Sequence, residues 1–446
     1  MPQKTTQKNK NILLSKNIAI FAPMTNRSIM PAVQPLKEIK FPAIVKKTLN
    51  NTIPIFFIQQ GKVPITQISI VFYAGNTAST IKHLPTATNA LITEGTTQKT
   101  SQQIFEALDF YGAYLQTYCA NEIADVSLYA SVKHLDNVLP IFFEVLTQPS
   151  YPKHEIELWK QRHVEQLKVS KQKTSYLASN AFKQAVFPNH PYGYVLEEED
   201  YFRVEQKQLQ DFHKQAYIPE NSYIIVSGDG YDTEHILNVL NKYWGHHTSE
   251  LFKKPDISLY EPQKGYIHVP KSDAMQATLR IGGRMPHHSH PDYLKLKVLI
   301  TLYGGYFGSR LMSNLREEKG YTYGIYASLV GLKQESYISI GTDVGIEVAE
   351  DAVAQIQAEA EKLQQESVDV EELELVKNYM LGQLTGDFET AFNTADYYKS
   401  LIILGYDHQH LEKLVQTVKT CTVEDIKKLA QLYLDPNQWT VVKAGG

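Results

Sequence analysis

Cysteine is nearly absent from this chain: 446 residues carry two, Cys119 and Cys421. One pair at most excludes a disulfide scaffold and fits a reducing compartment. Excess charge of one sign is missing too. Lys and Arg number 44 against 48 Asp and Glu, a formal net charge of −4. That balance excludes a polyanion-coating surface and gives no reason to expect a nucleic-acid partner. Long apolar runs are also absent. None approaches the roughly 20 residues that a membrane-spanning helix needs, so no membrane partner is expected. The start, MPQKTTQKNKNILLSKNIAIFAP, is basic with a short apolar stretch. Lys16 interrupts that stretch and no small-residue cleavage site follows, so a secretory signal is rejected and the expected location is cytoplasmic.

What is present is ordinary globular material. Hydrophobic residues make up 43% and charged residues 21%, enough for a substantial core. The length suits two or three domains. Fifteen histidines offer raw material for a metal site.

One plan is used twice along the chain. QISIVFYAG (67–75) alternates as a strand, then SQQIFEALDFYGA (101–113) reads as a helix and YLQTYCA and DVSLYASV as strands. The second half repeats the order with ATLRIGGR (277–284), two helical stretches, YTYGIYASL and SYISIGTDV. The ends match most closely. QLQDFHKQAYIPENSYIIVSGDG (208–230) resembles EDIKKLAQLYLDPNQWTVVKAGG (424–446), with Pro219 and Pro436 lying 217 residues apart. In both, a helix stops at proline and an apolar strand closes at glycine. Order agreement along both halves points to duplication. The reading is therefore an N-terminal arm (1–40), a first half (41–245), a polar linker (246–265) and a second half (266–446). Hairpin-like strand neighbours with paired helices favour an α+β fold, with two largely antiparallel sheets covered by helices and a cleft or chamber between the halves.

Three stretches carry a resemblance. AGNTASTIKHLPTATNALITEGTTQKT (74–100) ends in Glu94-Gly95-Thr96. HPYGYVLEEEDYFRVEQKQLQDFHKQAYIPENSYIIVSGDG (190–230) holds Tyr-Gly, then Tyr-x-Pro-x-Asn and a Gly-Asp strand end. LYGGYFGSRLMSNLREEKGYTYGIYA (302–327) joins a glycine turn to Ser-Arg-Leu, Leu-Arg-Glu and an aromatic strand. In this order they resemble the pitrilysin/insulinase family of inverted-zincin peptidases, which includes the mitochondrial processing peptidase subunits. That family's metal comes from His-x-x-Glu-His on a helix. Residues four apart share one helix face, so two imidazoles reach one Zn²⁺, and the Glu acts as general base on its water. Counted back from Gly95, the five positions here are Thr86, Ala87, Thr88, Asn89 and Ala90. Thr86 and Ala90 cannot replace imidazole ligands, and the Asn89 amide cannot accept a proton as a carboxylate does. The family's third ligand falls near Trp159–Lys168, where His163 and Glu165 lie, and His83 is the nearest other histidine. The chain is therefore expected to bind no metal and to have no catalytic residue of its own.

The resemblance also implies what remains. Arg316 and Tyr323 match the family's substrate-binding arginine and tyrosine. A guanidinium fork holds peptide carbonyl or carboxylate groups, and a phenol donates to an oxyanion. The expectation is a non-catalytic subunit of a heterodimeric zinc metallopeptidase. Its peptide-binding Arg/Tyr pair would complete a chamber with a homologous zinc-bearing subunit. The alternative is a structural or peptide-binding relative with no role in proteolysis. A metal site relocated to other histidines is a third reading.

The remaining features have plainer readings. Gly304–Ser309 reads as a helix-joining turn, with substrate contact as the minority view. His287, His288 and His290, and His246-His247 in the linker, lack carboxylate or cysteine partners at ligand spacing and read as incidental loop residues. Gln116-Thr117 stand where the family's edge strand pairs with substrate, but an ordinary sheet strand is the reading adopted. The runs at Glu197–Asp200 and Glu371-Glu372 read as solvated faces, and both cysteines as buried thiols.

Overall fold

A computed structural model of the chain describes residues 39–245 and 250–446. All but the last two residues of the expected arm (1–40), and His246-His247, lie outside the described residues. Among the described residues, eleven strands form two sheets. The first contains β1 (Val45–Thr48), β2 (Pro54–Gln59), β3 (Ile65–Phe72), β4 (Tyr114–Cys119), β5 (Ala124–Ser131) and β6 (Ser222–Gly228), in spatial order β1-β2-β6-β3-β5-β4. The second contains β7 (Gly265–Val269), β8 (Ala277–Met285), β9 (Ile325–Gly331), β10 (Ser336–Val344) and β11 (Thr440–Ala444), in order β7-β11-β8-β10-β9. Shifting β2 through β6 by five strands reproduces the second order. The parallel pair recurs in the same place, β2 on β6 and β7 on β11, and the other pairs are antiparallel. The strand order thus repeats between the halves as the sequence plan does, and it adds β2 and β7, which the plan lacked, and β1 in the first half alone.

Helices cover both faces of each sheet. In the first half they are α1 (Leu84–Leu91), α2 (Ser101–Asp109), α3 (Leu135–Thr147), α4 (Lys153–Lys171), α5 (Thr174–Val186), α6 (Glu198–Phe202), α7 (Gln206–Ala216) and α8 (Thr233–Trp244). In the second they are α9 (Tyr293–Ile300), α10 (Ala349–Gln365), α11 (Val370–Gly386), α12 (Ala391–Ile403), α13 (Gln409–Thr420) and α14 (Val423–Tyr433). The architecture is α+β. The matching ends have a shared local cause. Capping boxes Glu205/Gln208 and Thr422/Asp425 start α7 and α14, satisfying N–H groups that helices leave unpaired. Each helix then runs into a 3₁₀ turn opened by Pro219 or Pro436, where the ring cannot continue the helix. Asn221 Nδ2 donates to Ala216 O at 2.8 Å and closes the first of these turns. β6 follows, buried at every residue, because strands flank it and helices lie on both its faces.

The second face of each sheet is covered by a helix from the other half. On α12, Ala391 and Ala395 pack on Ile58, Val71, Tyr223 and Ile225 of the first sheet. On α5, Ala178, Phe182 and Val186 pack with Val442 and Ala444 of the second. Polar ties reinforce the exchange. Gln60 Nε2 donates to Phe388 O at 2.8 Å, Thr394 Oγ1 donates to Gln60 Oε1 at 3.1 Å, and Lys399 on α12 pairs with Asp125 on β5. The described part of the linker is fixed too. Gln263 N donates to Ala185 O at 2.8 Å, and Phe252 packs on the first core. Its side chains alternate between exposed and half-buried instead of being uniformly exposed. No described helix is long and apolar enough to cross a membrane.

Candidate functional site

The helix at the expected metal position is α1. His83 precedes it in the left-handed region (φ 66°), and Pro85 begins it where a missing N–H costs nothing. Its side chains are closed on protein partners. Thr86 Oγ1 donates to Asn76 Oδ1 at 2.9 Å. Asn89, 1% exposed, donates from Nδ2 to Asp125 O at 3.2 Å and accepts from Tyr217 Oη at 3.0 Å. Ala90 packs half-buried against the first core. The amide at the general-base position thus joins α1, β5 and the chain segment after α7.

His83 lies beside this helix within an aromatic group. Its ring centroid is 5.2 Å from that of Trp159, 4.8 Å from Tyr201 and 6.3 Å from His163. Burial is the main reason its pKa falls to about 4; His163 lowers it further and Asp200 opposes. His83 is therefore neutral at neutral pH. His163 Nδ1 is engaged with Trp159 O at 2.8 Å, and Glu165 pairs with Lys168 on the exposed side of α4. Among the described residues, no three His, Cys, Asp or Glu side chains converge as metal donors. The groups at the expected zinc position are a hydroxyl, an amide and a methyl, a set that does not fit Zn²⁺.

The second-half residues are arranged the opposite way. After α9 the chain makes a π-helical stretch at Thr301–Gly305, a turn, and a second π-helical stretch at Met312–Glu318. Gly304 permits the first to approach β9: a Cβ there would lie 2.7 Å from that of Ala327. This supports the helix-joining reading of the glycine segment. Arg316 lies on the second stretch, its guanidinium carbon 4.3 Å from the Phe307 ring centroid. Gly320 turns the chain at φ 67°. Thr342 Oγ1 donates to Thr322 Oγ1 at 2.9 Å, and Tyr321 Oη donates to Asp351 Oδ2 at 2.7 Å. The residues before Tyr323 are pinned, yet its ring is 96% exposed. Arg316 and Tyr323 therefore flank one turn leading into β9. Thr86, Asn89 and Ala90 belong to the other half.

β4 is an edge strand of the first sheet. Tyr114, Gln116 and Tyr118 are exposed on it and stand opposite Tyr129, Ser127 and Asp125. Gln116, Tyr118, Asp125 and Tyr129 line a cavity of about 400 Å³ together with Gln67 and Lys399. Burial raises the Asp125 carboxyl, while the Lys399 ammonium pulls it down.

Other sequence candidates have structural duties. Burial pushes the Cys119 thiol up to about 12 and Cys421 to about 11, so neither supplies a thiolate at neutral pH. Cys119 is only half-buried, whereas Cys421 is buried. His287 bonds to Ser289 and Lys333 O, and His288 Nδ1 meets Tyr406 Oη at 2.8 Å. Glu197 and Asp200 form the capping box of α6, and Glu372 holds Arg310 at 2.8 and 2.9 Å. Asp200 is buried and Glu372 half-buried, so the solvated-face reading does not hold at these two positions. Phe307, Tyr217 and the Asp125–Lys399 pair were not singled out from sequence. An aromatic between Tyr306 and Gly308 was the one available hint.

Comparison with known proteins adds kinship to this geometry. A family model described as the peptidase M16 inactive domain matches residues 203–380. An uncharacterized zinc protease YmxG of Bacillus subtilis is 23% identical over 363 residues, covering 79% of this chain and 86% of that protein. A non-peptidase homolog YmxG of Helicobacter pylori is 21% identical over 411 residues, 89% of this chain and 93% of its own. The crystal structure of a peptidase M16 inactive domain from Pseudomonas fluorescens superposes with a TM-score of 0.82 at 21% identity, covering 90% of this chain and 98% of that one.

Proposed function

We propose that this chain, whose residues 203–380 match the peptidase M16 inactive-domain model and whose helix at the expected zinc position offers no ligands, is a non-catalytic subunit of a heterodimeric zinc peptidase of the M16, or pitrilysin/insulinase, type. Its partner is a homologous subunit that carries the metal. One contrast supports this reading above all. Thr86 and Asn89 are spent on internal hydrogen bonds, while Arg316 and Tyr323 are held on a fixed turn with unspent donors. Bound in the partner, zinc would polarise the scissile carbonyl. The guanidinium of Arg316 would hold a carbonyl or carboxylate of the peptide. The phenol of Tyr323 would donate to the oxygen on which negative charge develops. The free edge of β4 offers backbone groups to an extended peptide.

The test is co-purification with a homologue from the same genome bearing His-x-x-Glu-His, followed by metal analysis and hydrolysis of a quenched fluorescent peptide mixture. Activity is expected only in the complex, with Arg316→Ala and Tyr323→Phe each lowering it at least about tenfold, the scale of a lost transition-state hydrogen bond. Full activity in both variants, or stoichiometric zinc and hydrolysis in this chain alone, would refute the assignment. A second reading, a structural or peptide-binding relative with no role in proteolysis, is favoured by the integration of Asn89 into the core. It predicts peptide binding at the β4 edge without turnover in any complex.

A further inference from the structure

We propose that Phe307 is the positioning residue of Arg316: a fixed aromatic shelf that holds the guanidinium out for a peptide ligand. The substrate part of this inference rests on the function proposed above. Burial does not explain Phe307, which is 58% exposed. Its backbone is nonetheless anchored on both sides. The Tyr306 ring packs on Tyr379 at 5.0 Å, and Arg310 grips Glu372 with two nitrogens. Ser309 N closes the turn onto Tyr306 O at 3.1 Å. The ring thus sits on a rigid corner and gains little by being there, except its contact with Arg316 at 4.3 Å.

The other side of the contact is also fixed. Arg316 occupies the π-helical stretch, where Lys319 N reaches back to Asn314 O at 2.9 Å and Tyr321 N to Leu315 O at 2.9 Å. Single π turns are rare and recur at functional sites. Glu317 and Glu318 follow at once and are exposed, yet no described carboxylate pairs with Arg316. A long side chain beside two carboxylates would ordinarily sample both. Stacking changes that choice. A ring attracts a guanidinium through its face, whereas the five N–H donors lie in the guanidinium plane. Phe307 therefore restrains Arg316 without consuming any of its donors. An ion pair with Glu317 or Glu318 would restrain it by consuming them. The shelf keeps Arg316 both ordered and unspent.

Two measurements test this, and each can fail alone. In the isolated full chain, Arg316 is labelled with phenylglyoxal and followed by peptide mass mapping. Phe307→Ala is expected to speed labelling at Arg316 about two- to fivefold, the range of an exposed cation–π contact, while Phe307→Trp matches the parent. Equal rates in Phe307→Ala and the parent, with both folded by circular dichroism, overturn the inference whatever the protein's function. In the complex with the zinc-bearing homologue, Phe307→Ala is expected to raise KM for the same peptide mixture about two- to fivefold with kcat less affected. Phe307→Trp is expected to restore KM, and Phe307→Ala is expected to add nothing to Arg316→Ala. A Phe307→Ala effect that persists undiminished beside Arg316→Ala overturns the positioning role. A silent Arg316→Ala with faster labelling in Phe307→Ala instead overturns the substrate role of Arg316, and the two failures are told apart.

Discussion

Replacing Lys399 with methionine tests what the exchange of helices between the halves is worth. Lys399 Nζ pairs with Asp125 across the halves, and the two side chains are 10% and 5% exposed. Solvent screening is therefore small and the exposed-pair discount does not apply. Methionine fills much the same volume, so the lost term is the charge and not the packing. Removing one partner of a buried pair costs about 3–5 kcal/mol, because the other charge is left uncompensated. Ser127 Oγ still donates to Asp125 Oδ1 at 3.0 Å, which places the expected loss near the lower end, about 3 kcal/mol. The assay is urea unfolding of the full chain, read by tryptophan fluorescence. The pH dependence provides a second signature. Burial already raises the Asp125 carboxyl, and without Lys399 nothing comparable pulls it down. The folded state then holds this proton more tightly than the unfolded chain. Its carboxylate costs stability as pH rises from the ordinary Asp value of about 3.9 to the raised folded value, and the loss is complete above it. The deficit of Lys399→Met should therefore be largest at neutral pH and shrink towards acid. Asp125→Asn combined with Lys399→Met should recover most of it. A loss below about 0.5 kcal/mol, the scale of ordinary surface changes, would refute the reasoning. So would a deficit that grows on acidification.

Two further changes probe the first-half helix. Asn89→Ala leaves Tyr217 Oη and Asp125 O without this partner, and each unmet buried group costs about 1–3 kcal/mol; urea unfolding should show a loss of about 2–6 kcal/mol for the two together, with metal content unchanged. A stability loss that zinc addition repairs would contradict the structural role given to Asn89. His83→Phe tests the aromatic group. The folded pKa of about 4 lies below the ordinary 6.5, so the unfolded chain takes up this proton first and the parent loses stability as pH falls between those values. His83→Phe should flatten that limb, and unfolding midpoints at about pH 7 and about pH 5 decide; an unchanged slope rejects the assignment.

The repeat was legible because its marks are local. Proline after a helix, a capping residue before it and period-two alternation each act within a few residues, and they returned four strand positions in each half, leaving β1, β2 and β7 unread. The helix exchange was not legible. Nothing in TSYLASNAFKQAV separates a helix that covers its own sheet from one that covers the other, since an apolar stripe says only that a face is buried. The same limit applies to the site. The family resemblance, counted back from Gly95, implied Thr86, Asn89 and Ala90 as the altered positions. It could not identify the protein groups that this helix meets. The hydrogen bond from Tyr217 to Asn89 joins residues 128 positions apart, and pairings of that kind are set by topology. Glu372 was misread for the same reason: its partner, Arg310, lies 62 residues away on another segment.

The asymmetry between the halves has a physical basis in what each position requires. A metal helix needs two ligands and a base facing an open coordination position, held rigidly by their neighbours. Such side chains are unsatisfied without the ion and would cost stability in a chain that never binds it. In α1 that cost is absent: Asn89 meets a donor and an acceptor, Thr86 meets Asn76, and Ala90 meets the core. The helix still closes the first core, so it persists as structure. Tyr323, exposed, and Arg316, half-buried, carry less of this burden, because donors that water reaches are solvated at little cost. What maintains their geometry is the scaffold around them: Phe307 beneath the guanidinium, and Tyr321 and Thr322 fastened to Asp351 and Thr342. A chain that had become purely a scaffold would gain nothing from keeping a free guanidinium on a rigid shelf. Under the function proposed above, that arrangement would serve a peptide that arrives from outside.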